Sequence, residues 1–264
     1  MSTIFITTLA LTLIGLVCGV ALAVVAKKFA VQEDARIAEV EAALPGANCG
    51  GCGYPGCSGY AKAIVEDGAP INKCGPGGAS SVERIGRLLG REAAAPEPVM
   101  AFIRCAGDRA AALRSSVYNG VTDCAAAQIV AGGWKECQYG CLGFGSCARA
   151  CEFGAIVIRN GLAVVDPARC TGCGRCVTKC PRNLIVIVPV KHRVHVRCNS
   201  PEKGAVVRKS CSSGCIGCGL CVKAEGGASM RMDGALARVD YDKPPVENEA
   251  VATRCPTKNI VKLP

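Results

Sequence analysis

Aromatic residues are scarce in this chain. They make up 4% of 264 residues, with a single Trp, while Gly accounts for 32 positions. That is too little bulk for one large hydrophobic core, so something else must help hold the fold together. Histidine occurs only twice, at His192 and His195. Both lie in KHRVHVRC, which alternates like a strand and puts them on opposite faces, a poor arrangement for two ligands of one metal. The sequence shows no Gly-rich phosphate loop, no Ser-His-Asp set and no flavin motif, which argues against nucleotide or hydrolytic chemistry in this chain. No Lys or Arg precedes its first apolar run, which is unlike a secretory signal.

Cysteine is what the chain has in excess: 21 residues. A count of that order means disulfides or metal. The stretch Cys170 to Pro181, CTGCGRCVTKCP, decides for metal. Its Cys170, Cys173, Cys176 and Cys180 follow the C-x2-C-x2-C-x3-C-P pattern of ferredoxins, in which three thiolates grip one [4Fe–4S] cluster and the fourth reaches a second. A zinc ribbon or a disulfide framework has no need of this three-plus-one spacing. Metal-bearing thiols imply a reducing compartment. The formal charge of +10 counts every Cys as neutral. Each occupied site adds about −2, so the excess of basic residues is not a nucleic-acid signal.

Read from the start, Ile4 to Ala26 carries no charge and is long enough as a helix to cross a bilayer. Lys27 and Lys28 follow it, and the positive-inside rule places them in the cytoplasm, with the N-terminus outside. Cys18 inside this run reads as a small apolar residue. Val31 to Leu44 reads as a short helix, ended by Pro45 and Gly46. Cys49, Cys52, Cys57 and Cys74 then form a four-ligand set, with a helix over Gly59 to Asp67 joining the third to the fourth. Ser80 to Glu92 reads as another helix with a capping box from Ser80 and Glu83. Arg91 to Val99 is a linker by composition.

The next cysteines, Cys137, Cys141, Cys147 and Cys151, form a ferredoxin half with an altered front: Phe144 stands where the middle ligand belongs. Cys137 is the expected replacement. With crossed fourth ligands, one cluster takes Cys137, Cys141, Cys147 and Cys180, and the other Cys151, Cys170, Cys173 and Cys176. Short strands are expected over Ala155 to Arg159, Leu162 to Val165 and Leu184 to Val190.

The C-terminal part repeats this module. GCLGFGSCARAC matches GCIGCGLCVKAE, and KCPRNLIV matches RCPTKNIV. The fourth Cys of the first half is replaced by Glu225. Counting back from Cys255 gives Val251, Asn248 and Pro245, none of them a ligand. The losses all fall on one cluster, and Cys215, Cys218, Cys221 and Cys255 form the complete set for the other. Four such sites leave Cys105, Cys124, Cys198 and Cys211. These suffice for a fifth cubane shared between the repeats, since Cys124 and Cys198 occupy equivalent places; the alternative is four thiols without metal. Cys137, the counterpart of Cys211, offers a competing member of that group.

The fold class expected is α+β: an N-terminal transmembrane helix (1–26), a small helical [4Fe–4S] domain (27–92), a linker and pre-ferredoxin segment (93–133), a two-cluster ferredoxin-like domain (134–190) and a degenerate ferredoxin-like module (191–264). The N-terminal span, GANCGGCGYPGC with Cys74, GCLGFGSC and the ferredoxin run together resemble the B subunit of the Rnf/Rsx ion-translocating electron-transport complex, in its longer form. That resemblance covers nearly the whole chain. It implies an inner-membrane complex passing electrons between ferredoxin and NAD, coupled to Na⁺ or H⁺ movement. This chain would be its cytoplasmic-side iron–sulfur wire, other membrane and peripheral subunits and soluble ferredoxin would be its partners, and nicotinamide chemistry would lie in other subunits. A membrane-anchored polyferredoxin serving another redox enzyme, and a non-redox metal-binding assembly module, are the competing readings of the residues.

Overall fold

The computed structural model describes residues 2–28, 34–246 and 250–263. Helix α1 runs from Ser2 to Lys28, with Lys27 and Lys28 in its last turn. Ile4–Lys28 is long and apolar enough to cross a membrane, and none of it is buried against the rest of the chain. The hydroxyls of Thr7, Thr8 and Thr12 donate to carbonyls three or four residues earlier, so these polar side chains ask nothing of the surroundings. Of the expected helix over Val31 to Leu44, residues 31–33 lie outside the described residues, as does Asn248.

Helices α2 (Ala35–Ala43), α3 (Gly56–Glu66) and α4 (Gly78–Leu89) form the first soluble domain. Ile37, Val40, Tyr60, Ile64, Ile71, Val82 and Ile85 make its core, against which Cys52 and Cys57 pack. Asp34 caps α2 by accepting the Arg36 N–H. Ser81 Oγ donates to the Ala43 carbonyl and ties α4 to the end of α2. The Tyr60 hydroxyl donates to the Pro70 carbonyl and accepts from the Lys73 N–H, pinning the loop that delivers Cys74. The capping box expected at Ser80 is not formed. Helix α4 begins at Gly78, the Ser80 hydroxyl donates to the Gly77 carbonyl, and Glu83 pairs with Arg87 one turn on.

Strand β1 (Val99–Ile103) starts at the end of the expected linker and lies in the linker and pre-ferredoxin segment 93–133, where no strand is expected. Its five residues are mostly buried, and it pairs antiparallel with β4 (Ile185–Pro189), Met100 opposite Val188 and Phe102 opposite Val186. Between them come α5 (Cys124–Ile129), α6 (Ser146–Arg149), the hairpin β2 (Ile156–Arg159) and β3 (Leu162–Val165), and α7 (Arg175–Thr178). The tail reproduces this order. Strand β5 (Val194–Val196) pairs with β8 (Ile260–Lys262) around α8 (Gly204–Ser210), α9 (Leu220–Glu225), the hairpin β6 (Met230–Asp233) and β7 (Leu236–Val239), and α10 (Ala250–Thr253). The sequence repeat is therefore a repeat of topology. The two modules are joined by a small core in which Met100, Phe102 and Val188 meet Tyr241, Val261 and Leu263. His195 stacks on Phe102 and shares a hydrogen bond of 3.0 Å with the Tyr241 hydroxyl, and His192 meets the edge of the same ring. Both histidines are buried.

The first domain sits directly on the ferredoxin run. A Cβ placed on Gly51 would lie 2.4 Å from the Cys173 carbonyl oxygen, and one on Gly75 would lie 3.3 Å from that of Thr171. Backbone on both sides of the first contact leaves nothing to give way. Gly51→Ala should therefore loosen this docking by about 1–3 kcal/mol while leaving each domain folded. Limited proteolysis within residues 91–98 should speed up, with helix content by circular dichroism unchanged; equal cleavage rates would refute the tight contact.

Candidate metal centres

All 21 cysteines are free thiols. Twenty of them fall into five groups of four, every one except Cys18, in the apolar helix. The local grouping follows from backbone shape. In each ferredoxin run a glycine in left-handed conformation, Gly145, Gly174 or Gly219, precedes a short helix whose second residue is a ligand candidate: Cys147, Cys176 or Cys221.

In the first domain, burial pushes the Cys74 thiol up, and the nearby Cys57, Cys49 and Cys52 push the same way. In the ferredoxin run, burial pushes Cys176 up to about 12, reinforced by Cys170, Cys173 and Cys151. These two sets are those expected from spacing. The Ala101 N–H donates to Cys170 Sγ and the Ala155 N–H to Cys151 Sγ, each at 3.3 Å. Glu152, which replaces the usual Pro, forms an ion pair with Arg175 of the other half.

The third and fourth groups differ from the expected sets by one exchange. One cavity is lined by Cys124, Cys141, Cys147 and Cys180, with Ile103, Leu142 and Leu184. A second is lined by Cys105, Cys137, Cys198 and Cys211. Cys137 does not join Cys141, Cys147 and Cys180; Cys124 stands there instead. The reason is local. Asp123 caps α5 by accepting the Ala125 and Ala126 N–H groups, and it also accepts from the Ser146 hydroxyl, which in turn takes the Cys124 N–H. This clamps Cys124 against the turn that carries Cys147. Arg182 meanwhile donates to the Cys137 and Gly140 carbonyls at 2.9 and 2.7 Å. Burial pushes Cys147 up to about 12, with Cys141, Cys124 and Cys180 adding to it. Burial also raises Cys211, helped by Cys105 and Cys137, and raises Cys198 to about 11.

The fifth group, Cys215, Cys218, Cys221 and Cys255, lines a third cavity. Burial takes Cys221 up to about 11, with Cys215 and Cys218 reinforcing it. Where the matching second site of this module would lie, Val246 and Val251 are buried beside Met230 and Leu236. Glu225 accepts the Ser229 and Met230 N–H groups with its carboxylate.

Thiols held this far above their ordinary range are neutral alone and become thiolates on binding metal. Among the described residues, no three His, Cys, Asp or Glu side chains converge closely enough to hold a single ion. Around zinc, with Zn–S near 2.3 Å, thiolates must approach to about 3.8 Å. Four thiols spaced around a small cavity suit the corners of a larger cluster. Successive groups also lie within electrostatic reach of one another. Cys173 feels Cys49, Cys147 feels Cys176, Cys141 feels Cys105, and Cys198 feels Cys215.

Comparison with known proteins agrees with this chemistry. A family model described as "Putative Fe-S cluster" matches residues 44–76, and one described as "4Fe-4S binding domain" matches residues 162–185. The chain carries [4Fe–4S] domains. It is 43% identical over 230 residues to the B subunit of the Na(+)-translocating ferredoxin:NAD(+) oxidoreductase complex of Acetobacterium woodii, covering 87% of this chain and 69% of that protein. To the B subunit of the proton-translocating ferredoxin:NAD(+) oxidoreductase complex of Clostridium ljungdahlii it is 43% identical over 263 residues, 98% and 93% of the two chains. To the B subunit of the ion-translocating oxidoreductase complex of Methanosarcina acetivorans it is 40% identical over 262 residues, 98% and 99%.

The exchange of Cys124 for Cys137 is testable by iron analysis of anaerobically prepared protein. If Cys137 and Cys211 share a site, the variant Cys137→Ala/Cys211→Ala should lose about four Fe, no more than either single variant. A loss of about eight Fe would place them in different clusters, as the spacing alone suggests.

Proposed function

Since the chain belongs to the B-subunit family of ion-translocating ferredoxin:NAD(+) oxidoreductase complexes, we propose that it is the membrane-anchored electron carrier of such a complex. The complex couples electron transfer between ferredoxin and NAD to the movement of Na⁺ or H⁺. The observation that carries this reading is the set of five four-thiol groups from Cys49 to Cys255, each within electrostatic reach of the next.

On this reading the ligand sets are Cys49, Cys52, Cys57 and Cys74; Cys151, Cys170, Cys173 and Cys176; Cys124, Cys141, Cys147 and Cys180; Cys105, Cys137, Cys198 and Cys211; and Cys215, Cys218, Cys221 and Cys255. When bound, a [4Fe–4S] cluster supplies a one-electron redox centre at each set. The protein's own work is to fix the order of the sets, keep water from them and supply N–H groups to their sulfurs. Five sites at about −2 each would offset the formal +10, leaving the loaded chain near neutrality. Helix α1 is the membrane anchor, its C-terminal Lys27 and Lys28 on the cytoplasmic side. Soluble ferredoxin and the other subunits are its partners.

Two experiments test the proposal. Reduced ferredoxin should bleach the visible absorbance of the detergent-purified chain, and NADH alone should not. Reduction by NADH alone, or none by ferredoxin, would remove the carrier role. In sealed cells, thiol labelling from outside should miss the domains after α1; labelling there would invert the proposed orientation.

A further inference from the structure

The cavity lined by Cys105, Cys137, Cys198 and Cys211 also contains a buried cation without a paired anion. Lys135 is 3% exposed. Its Nζ donates to the Gly107 and Gly161 carbonyls at 2.5 and 3.2 Å and lies 4.9 Å from the centre of the Trp134 ring. Among the described residues no carboxylate lies within ion-pair distance of it. Asp108 feels its field, but that carboxylate is engaged by the N–H groups of Ala110 and Ala111 and by the Asn160 side chain.

Two carbonyl dipoles and a ring face do not neutralise a full charge, and an unpaired buried ammonium is costly. Arg104 and Arg197 line the same cavity, and Arg104 Nε is buried with no partner. The cavity of Cys215, Cys218, Cys221 and Cys255 is lined by no Lys or Arg. That of Cys124, Cys141, Cys147 and Cys180 has Lys179 and Arg182. Of these three cavities, the one where the two repeats meet therefore has the most cations.

We infer that Lys135 is the fixed counter-charge of the inter-repeat cluster and makes it the highest-potential of the three cavity-bound sites. The inference rests on the five-site reading above. A four-thiolate [4Fe–4S] site carries about −2 when oxidised. Taking one electron from the neighbouring site adds one negative charge and needs no proton. A buried positive charge stabilises that added charge more than it stabilises the oxidised state, so the midpoint potential rises. The amine acts on the cluster through space; it is a tuning group and ligates nothing.

The test is a redox titration, followed by electron paramagnetic resonance, of the full chain in detergent with all its clusters. Iron analysis comes first: wild type should hold about twenty Fe, and Cys198→Ala about four fewer. Only about sixteen Fe in wild type, with none lost in Cys198→Ala, would sink the five-site reading itself, whatever Lys135 does. Given twenty, the signal missing from Cys198→Ala marks the inter-repeat site. It should titrate above the signals missing from Cys124→Ala and from Cys218→Ala. In Lys135→Met it should move down, so that at a fixed solution potential its reduced-to-oxidised ratio falls roughly tenfold or more. Lys135→Arg should keep it in place. An unmoved signal in Lys135→Met with iron intact overturns the inference, as does an inter-repeat signal that titrates below either of the others. If Lys135→Met loses its four Fe, Lys135→Gln and Lys135→Arg decide. Retention in Lys135→Gln moves the titration to that variant, with the same two outcomes. Retention in Lys135→Arg alone shows that charge is required. Loss from both means that the site needs the lysine's shape, and overturns it.

Discussion

Burial of thiols that only metal can ionise is the constraint on which the rest of this structure depends. Desolvation, reinforced by neighbouring cysteines, pushes Cys147 and Cys176 up to about 12 and Cys198 and Cys221 up to about 11. A thiolate in such a place needs a metal cation to exist. The fold supplies little else to fill the space. Cysteine side chains belong to the cores of all three soluble parts, beside Ile64 and Ile85 in the first, Ile103 and Leu184 in the second, and Val196 and Met230 in the third. Metal binding and folding are therefore coupled, as the shortage of aromatic bulk requires.

The two repeats keep one backbone turn at the position of the fourth Cys, whether a Cys or a Glu stands there. In three of the ferredoxin-like half-modules the last Cys receives the N–H of the residue four positions on: Cys151 from Ala155, Cys180 from Leu184 and Cys255 from Asn259. Glu225 does the same for Ser229, with a carboxylate in place of a sulfur. The turn is kept because its N–H groups need an acceptor whether or not a metal is present. Val246 and Val251 are both buried in the core of this module, the latter fully. An apolar core thus lies beside the hairpin of β6 and β7, with Glu225 at the place of the fourth Cys.

Close spacing made most of the sites legible in the sequence. Cys49, Cys52, Cys57 and Cys74, and likewise Cys215, Cys218, Cys221 and Cys255, group in the structure as their motifs imply, because a few residues of glycine-rich backbone can reach only one cavity. Cys124 and Cys137 were not legible, since both precede Cys141 at distances that a loop can span. The choice between them is made by Asp123, Ser146 and Arg182, residues with no cysteine motif of their own. A signal was present in the repeat. Cys137 is the counterpart of Cys211, and the structure puts the two in one cavity; Cys124 and Cys198, equally matched in sequence, end in different ones. Strand β1 was hidden for a similar reason. VMAFI is a short apolar run without alternation, and only its partner β4, more than eighty residues later, makes it a strand.

The division of labour in the complex follows from what α1 contains. Between Ile4 and Ala26 there is no Asp, Glu, Lys, Arg or His, and the hydroxyls of Thr7, Thr8 and Thr12 are bonded to the helix's own carbonyls. A path for Na⁺ or H⁺ through a membrane is built from polar or ionisable groups at depth. This stretch offers no charged side chain for such a path. Relatives named for Na⁺ and for proton translocation are each 43% identical to the chain, as expected if this protein carries the electrons and the choice of ion is made by other membrane subunits. What the chain has to conserve is the order of its thiol groups and the charges around them. Those are set by backbone turns, by clamps such as Asp123 with Ser146, and by cations such as the buried Lys135 and the half-buried Arg182, all in the part of the molecule after α1.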